Sequence, residues 1–196
     1  MKSSPRKQVR SIRKTKAEND AKQSLGSFPI VGIGASAGGL EAFSELLHDL
    51  PEKTGMAFVL VQHLDPNHAS GLPEILARKT KLPVEEVANG TIVQPDRVYV
   101  IPANTNMLLK DGALQLGARI LVHGQHMPID NFFRSLAERV GQRAIGVVLS
   151  GTASDGTMGC RAIKGAGGIT LPRMRSRPST ATCLATPSRL AVSTSS

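Results

Sequence analysis

Cysteine is scarce. Only Cys160 and Cys183 occur, with no metal or redox spacing. That excludes a disulfide-stapled scaffold and makes a reducing, cytoplasmic setting the expectation. Tryptophan is absent and tyrosine occurs once, so base stacking on single-stranded nucleic acid has little to work with, and no nucleic-acid partner is expected. No apolar run reaches the roughly 18 residues of a membrane-spanning helix, so no membrane insertion is expected. The basic N-terminus lacks an apolar h-region, which argues against a secretory signal. What remains is a chain of 196 residues, 40% hydrophobic and 20% charged. That is enough for one α/β domain with a sizeable core, and unlike a collagen or a wholly disordered chain.

The net charge of +9 is unevenly spread. Residues 1–27 hold eight Lys/Arg and two acids, and residues 171–196 hold four Arg and no acid. The stretch between is near neutral, with twelve basic and thirteen acidic residues. Basic ends of this kind read either as solvated disordered tails or as arms for an anionic surface.

Within 28–170 the patterning alternates. The apolar run 30–33 ends in Gly34-Ala35-Ser36-Ala37-Gly38-Gly39, which suits a buried parallel strand and a tight turn. Leu40, Phe43, Leu46, Leu47 and Leu50 then recur at helical spacing up to Pro51. A second strand is expected over 56–61, ending at Gln62-His63, and a helix capped by Ser70 with Glu74 in its first turns, running to about Thr80. Residues 91–93 and 98–101 read as β-rich pieces. Lys110-Asp111-Gly112 between 107–109 and 113–116 is a hairpin signal. Asp130 is expected to cap a helix carrying Phe132, Phe133, Leu136, Ala137 and Val140. A buried strand over 144–149, a helix to Gly165 and a further strand opening at Gly167-Gly168-Ile169-Thr170 complete the pattern. The expected fold is α/β: a doubly wound, mostly parallel sheet with a β-hairpin.

Open α/β sheets gather their chemistry at the carboxyl ends of strands. Ser36, His63 and Asp155 each follow one. Together they supply a nucleophile, a base to take its proton and a carboxylate to orient the base. Each has a plainer reading: Ser36 as a small residue at a junction, His63 as a hydrogen-bonded structural histidine, Asp155 beside Gly156 as a turn or helix cap. The competing function is nucleotide binding, because Gly32-Ile33-Gly34-Ala35-Ser36-Ala37 fits G-x-G-x-x-A between a strand and a helix. No acid stands at the tip of the second strand to meet a ribose, and no Walker G-K-[ST] follows. His123 and His126 do not make a zinc set and read as a solvated loop.

These segments resemble one family. The run from Gly32 to Gly39, then Gln62-His63, then Leu149-Ser150-Gly151-Thr152-Ala153-Ser154-Asp155-Gly156 are similar to the catalytic domain of the chemotaxis protein-glutamate methylesterases, the CheB family. So are Val98-Tyr99-Val100-Ile101-Pro102 and Pro128-Ile129-Asp130-Asn131-Phe132-Phe133-Arg134-Ser135-Leu136-Ala137. The likeness is greatest to the form fused with methyltransferase domains. It implies a serine esterase that hydrolyses glutamyl γ-methyl esters on the cytoplasmic helices of chemoreceptors. It also implies glutamine deamidation in some members. Carried over by motif, Ser36 is the nucleophile, His63 the general base and acid, and Asp155 the orienting carboxylate. The backbone N–H groups of Ala37 and Thr152 form the oxyanion hole. No cofactor is implied. Ala37 stands where many members have Thr, a change that keeps the backbone donor. Residues 1–27 are too short for the receiver domain that regulates well-known members.

The domain is therefore expected over 28–170, after a basic disordered lead at 1–27. Residues 171–196 contain no Asp, Glu or Gly and depart from the family, which continues with a strand, a Q-D segment, a Met-Pro turn and a helix. One permitted choice of codons for 171–196, read two nucleotides in, gives A-Q-D-E-K-S-A-K-Y-G-D-M-P-R. A frameshift after about Thr170 is thus the expectation for this aberrant basic tail. It would leave an incomplete C-terminal part, an uncovered sheet edge and a marginally stable or aggregation-prone product, so the alternative to an esterase is a non-catalytic, destabilised relic or binding module.

Overall fold

A computed structural model describes residues 28–35, 39–62, 71–122, 125–150 and 155–171. Its centre is a six-stranded, wholly parallel sheet. The chain enters it through β1 (Ile30–Ala35), crosses by α1 (Gly39–His48) to β2 (Ala57–Gln62), and continues through α2 (Leu72–Ala77), β3 (Val84–Glu86), β4 (Thr91–Ile92) and β5 (Arg97–Val100). A hairpin follows, β6 (Thr105–Lys110) and β7 (Ala113–Ala118), then the small pair β8 (Leu121–Val122) and β9 (Gln125–His126). The long helix α3 (Pro128–Val140) leads back to β10 (Ala144–Ser150), and α4 (Thr157–Gly165) to β11 (Ile169–Leu171). The order across the sheet is β11-β10-β1-β2-β5-β3. From β1 the chain steps to β2, then to β3 at one edge, and back to β5 between them; after the hairpin it winds the other way through β10 to β11. The topological switch therefore falls between β1 and β10.

The strands show why the sheet is parallel and buried. Every residue of β1 is buried, as are the first five of β2. Such runs need cover on both faces. On one face Phe43 and Leu47 of α1 and Leu72 and Leu76 of α2 meet Val31, Ile33, Phe58, Leu60 and Val147. On the other, Ile129, Phe132, Phe133 and Leu136 of α3 and Ile163 of α4 meet Ile30, Ala57, Val59 and Val61.

The glycines of β1 explain how closely α3 sits. A Cβ at Gly32 would come within 2.8 Å of the Phe133 ring, and one at Gly34 within 2.6 Å of Ile129 Cγ2. Gly146 on β10 faces Ile163 and Phe133 in the same way, at 2.7 and 3.2 Å. Glycine here lets a helix touch strand backbone.

The hairpin forms as its sequence requires. Lys110 pairs with Ala113 across a two-residue turn, in which Asp111 and Gly112 have φ of 49° and 85°. That is the left-handed pair a type I′ turn demands. The hairpin belongs to a second, antiparallel sheet, β4-β7-β6. It packs on α3 through Met107, Leu109 and Leu114. Ser135 on α3 ties the layers together: its Oγ accepts from Leu109 N at 3.0 Å and donates to Phe132 O at 2.7 Å.

Two helix starts differ from expectation. The helix expected from Ser70 to Thr80 spans Leu72–Ala77 with Gly71 at its N-cap, and Ser70 lies outside the described residues. The helix expected to be capped by Asp130 begins at Pro128 with Met127 at the N-cap position. The rest of the expected pattern is present. β3 and the β8–β9 pair are additional. No helix among the described residues is long and apolar enough to cross a membrane.

Candidate active site

The carboxyl ends of β10, β1 and β2 lie side by side. Ala35, the last residue of β1, is the register partner of Gln62, the last of β2. It is also the partner of Ser150, the last of β10. Paired strands run roughly 4.8 Å apart, so three chain segments leave the sheet together at the switch point, where open α/β sheets place their ligands. Ser36 and His63 are the next residues after Ala35 and Gln62. They lie outside the described residues, as do Ala37 and Thr152.

Asp155 is described, and it is only 5% exposed. Its carboxylate is gripped by backbone. Oδ2 accepts from Ile129 N at 3.0 Å, and Oδ1 accepts from Asp130 N at 2.8 Å and from Gly156 N at 2.9 Å. The reason lies at the start of α3. A helix leaves its first N–H groups without intrahelical partners. Pro128 has none to offer, Ile129 and Asp130 take Asp155, and Asn131 N makes the first helical bond to Met127 O at 3.1 Å. Asp155 does the work of an N-cap from 25 residues away. Its plainer reading as a helix cap is thus true, of α3 rather than of the helix that follows it. A carboxylate so fixed at the switch point can still orient an imidazole.

Asp130 is the residue that sequence reasoning misassigned. It does not cap α3. It is buried at the third position of that helix, and its Oδ1 accepts from Gly159 N of α4 at 2.6 Å. Burial holds its carboxyl above the usual carboxylate range, opposed by the Gly159 bond and reinforced by the nearby charge of Asp155. Burial likewise pushes the half-buried Cys160 thiol up. Gln62, which closes β2, has its Oε1 buried without a hydrogen-bond partner among the described residues.

The dinucleotide reading does not survive the fold. Gly32 and Gly34 lie inside β1, under Phe133 and Ile129, rather than in a phosphate-cradling turn after the strand. His126 is not in a solvated loop either. It belongs to β9, and its ring Nε2 lies 2.9 Å from Asn106 Oδ1. His123 lies outside the described residues. Among the described residues no three His, Cys, Asp or Glu side chains are grouped to hold a metal ion.

Fold and site thus define a doubly wound α/β protein of the kind whose chemistry sits at a switch point, with one carboxylate pinned there by helix N-termini. Comparison with known proteins gives the family. The CheB methylesterase family model matches residues 31–191, and the chain belongs to that family. It is 35% identical over 154 residues to a protein-glutamate methylesterase/protein-glutamine glutaminase of Photorhabdus laumondii, covering 75% of this chain and 43% of that protein. It is 32% identical over 145 residues to the protein-glutamate methylesterase FrzG of Myxococcus xanthus, covering 74% and 43%. The chain therefore spans less than half the length of these relatives. Among solved structures, the CheB methylesterase catalytic domain of Thermotoga maritima superimposes with a TM-score of 0.67 at 29% identity, covering 74% of this chain and 78% of that one.

Proposed function

We propose that the chain is a serine esterase that hydrolyses glutamyl γ-methyl esters on the cytoplasmic helices of methylated chemoreceptors, acting in the cytoplasm. The same site is proposed to deamidate receptor glutamines. What supports this reading is the convergence of three strand ends, together with a buried Asp155 whose carboxylate accepts backbone N–H groups at the start of α3. Family membership supports it.

In this reading Ser36 Oγ attacks the ester carbonyl carbon while His63 takes the hydroxyl proton. The negative charge on the carbonyl oxygen meets the backbone N–H groups of Ala37 and Thr152. The C–O bond to the methoxy group then breaks, His63 returns the proton, and methanol leaves. Water repeats the sequence on the acyl-serine to give glutamate and free serine. Asp155 fixes the imidazole and stabilises its protonated form. The scheme calls for no cofactor.

Three single variants test this: Ser36→Ala, His63→Ala and Asp155→Asn, with methanol release as the readout. Members of a triad act as a unit, so Ser36→Ala combined with His63→Ala should be no slower than Ser36→Ala alone. Losses that multiply would reject the shared mechanism.

We also propose that residues 171–196 are out of frame with the family's C-terminus. The composition of 171–196, which contains no Asp, Glu or Gly, supports this. Sequencing the coding DNA tests it: codons that cannot yield Q-D and M-P in the alternate frame reject it.

A further inference from the structure

Two helices, α3 and α4, begin within hydrogen-bond reach of each other's acidic residues. Asp155, just before α4, accepts from the first donors of α3. Asp130, in the first turn of α3, accepts from Gly159 N, in the first turn of α4. Neither helix has a side-chain cap of its own. Each supplies the other's, so the two N-termini form one reciprocal unit. The contact is tight because Gly159 lacks a side chain: a Cβ there would lie 2.5 Å from Phe133 Cβ and 3.2 Å from Asp130 Cα. Asp155 is thus held from both sides. Its carboxylate is fixed by α3, and the segment carrying it is fixed because α4 is tethered to Asp130.

We infer that Asp130 is a positioning residue for the hydrolytic site, setting the placement of Asp155 by anchoring the start of α4 through Gly159 N–H. The inference rests on the triad reading of Asp155. A group displaced by about an ångström in an active site can lose about 10²-fold in rate. Asp130 faces Asp155 from the turn before α4, Cys160 from α4 and Arg134 from its own helix. What it supplies to the site is an acceptor oxygen, and asparagine keeps one.

The experiment measures kcat and KM for methanol release from a methylated receptor fragment, using the full chain and the variants Asp130→Ala, Asp130→Asn, Asp155→Asn and Asp130→Ala/Asp155→Asn. Urea denaturation of each shows that the assayed protein is folded. Asp130→Ala should lower kcat by about 10²-fold with KM little changed, and Asp130→Asn should recover most of the loss. In the Asp155→Asn background, Asp130→Ala should cost less than about twofold more, because its effect passes through Asp155. A folded Asp130→Ala protein with wild-type kcat overturns the inference. So does an Asp130→Asn protein as slow as Asp130→Ala, or a full further loss in the double variant. Wild-type activity in Asp155→Asn would instead refute the triad reading itself, and is seen separately.

Discussion

The glycines of β1 offer a quantitative test of how the site is built. Gly34→Ala would place a methyl 2.6 Å from Ile129 Cγ2 and 3.0 Å from its Cδ1. Ordinary carbon contacts lie near about 3.6 Å, so the overlap is roughly 1 Å. Ile129 is β-branched and stiff about χ1, and its own N–H is committed to Asp155. It cannot turn aside without moving the start of α3. Overpacking of this kind costs about 1–3 kcal/mol. Replacing glycine also restricts the unfolded chain, which returns about 0.4–1 kcal/mol. The net expectation is a loss of roughly 1–2 kcal/mol. With a urea slope near 2 kcal/mol/M, the midpoint should fall by about 0.5–1 M at unchanged slope. Gly117→Ala is the control, since a Cβ there meets nothing within 4 Å, and it should stay within about 0.5 kcal/mol of wild type. In an Ile129→Ala background the offending atoms are gone, and Gly34→Ala should become nearly neutral. A Gly34→Ala protein as stable as the Gly117→Ala control would refute the reasoning. So would a full loss that persists without the Ile129 side chain.

Three further outcomes follow from named bonds. Ser135→Ala should cost about 1–3 kcal/mol in denaturant unfolding, because it strands the buried Leu109 N–H that Ser135 Oγ now accepts. Asp155→Ala should destabilise by about 2 kcal/mol and Asp155→Asn by less, since an asparagine Oδ1 can still accept from Asp130 N while Ile129 N loses its acceptor. Asp96 accepts from Thr54 N at 2.6 Å and Gly55 N at 2.8 Å, bonds that hold its carboxyl below the usual range. Its folded value is depressed, so its contribution is present above the unfolded value and lost as pH falls through the folded one. Urea midpoints taken below about pH 5 should therefore fall less steeply in Asp96→Asn than in wild type. Parallel curves would contradict that sign.

Much of the architecture was legible because the strongest signals are local. β2 and β10 announce themselves as short apolar runs, and Asp111-Gly112 can make only a few turns. The alternation of such runs with helical patterns implies the parallel sheet. What escaped was non-local. Asp130 carries the mark of a helix cap, but the true cap of α3 comes from Asp155, and no periodicity links residues 25 apart. The glycines 32 and 34 match a phosphate-binding spacing. Their use depends on α3 lying across β1, a hundred residues further along the chain. β3 is three residues, Val84–Glu86, none of them buried, too short to carry an alternation. Of the proposed site residues, Asp155 is the one among the described residues. Its hydrogen-bond partners became visible only in three dimensions.

The central claim is that this chain hydrolyses a glutamyl methyl ester with Ser36 as nucleophile. The most direct test is methanol release from a methylated receptor fragment, wild type against Ser36→Ala, with both shown by denaturation to be equally folded. The account predicts release by the wild type and a loss of about 10⁴-fold or more in the variant. Hydrolysis that survives Ser36→Ala unchanged would contradict it.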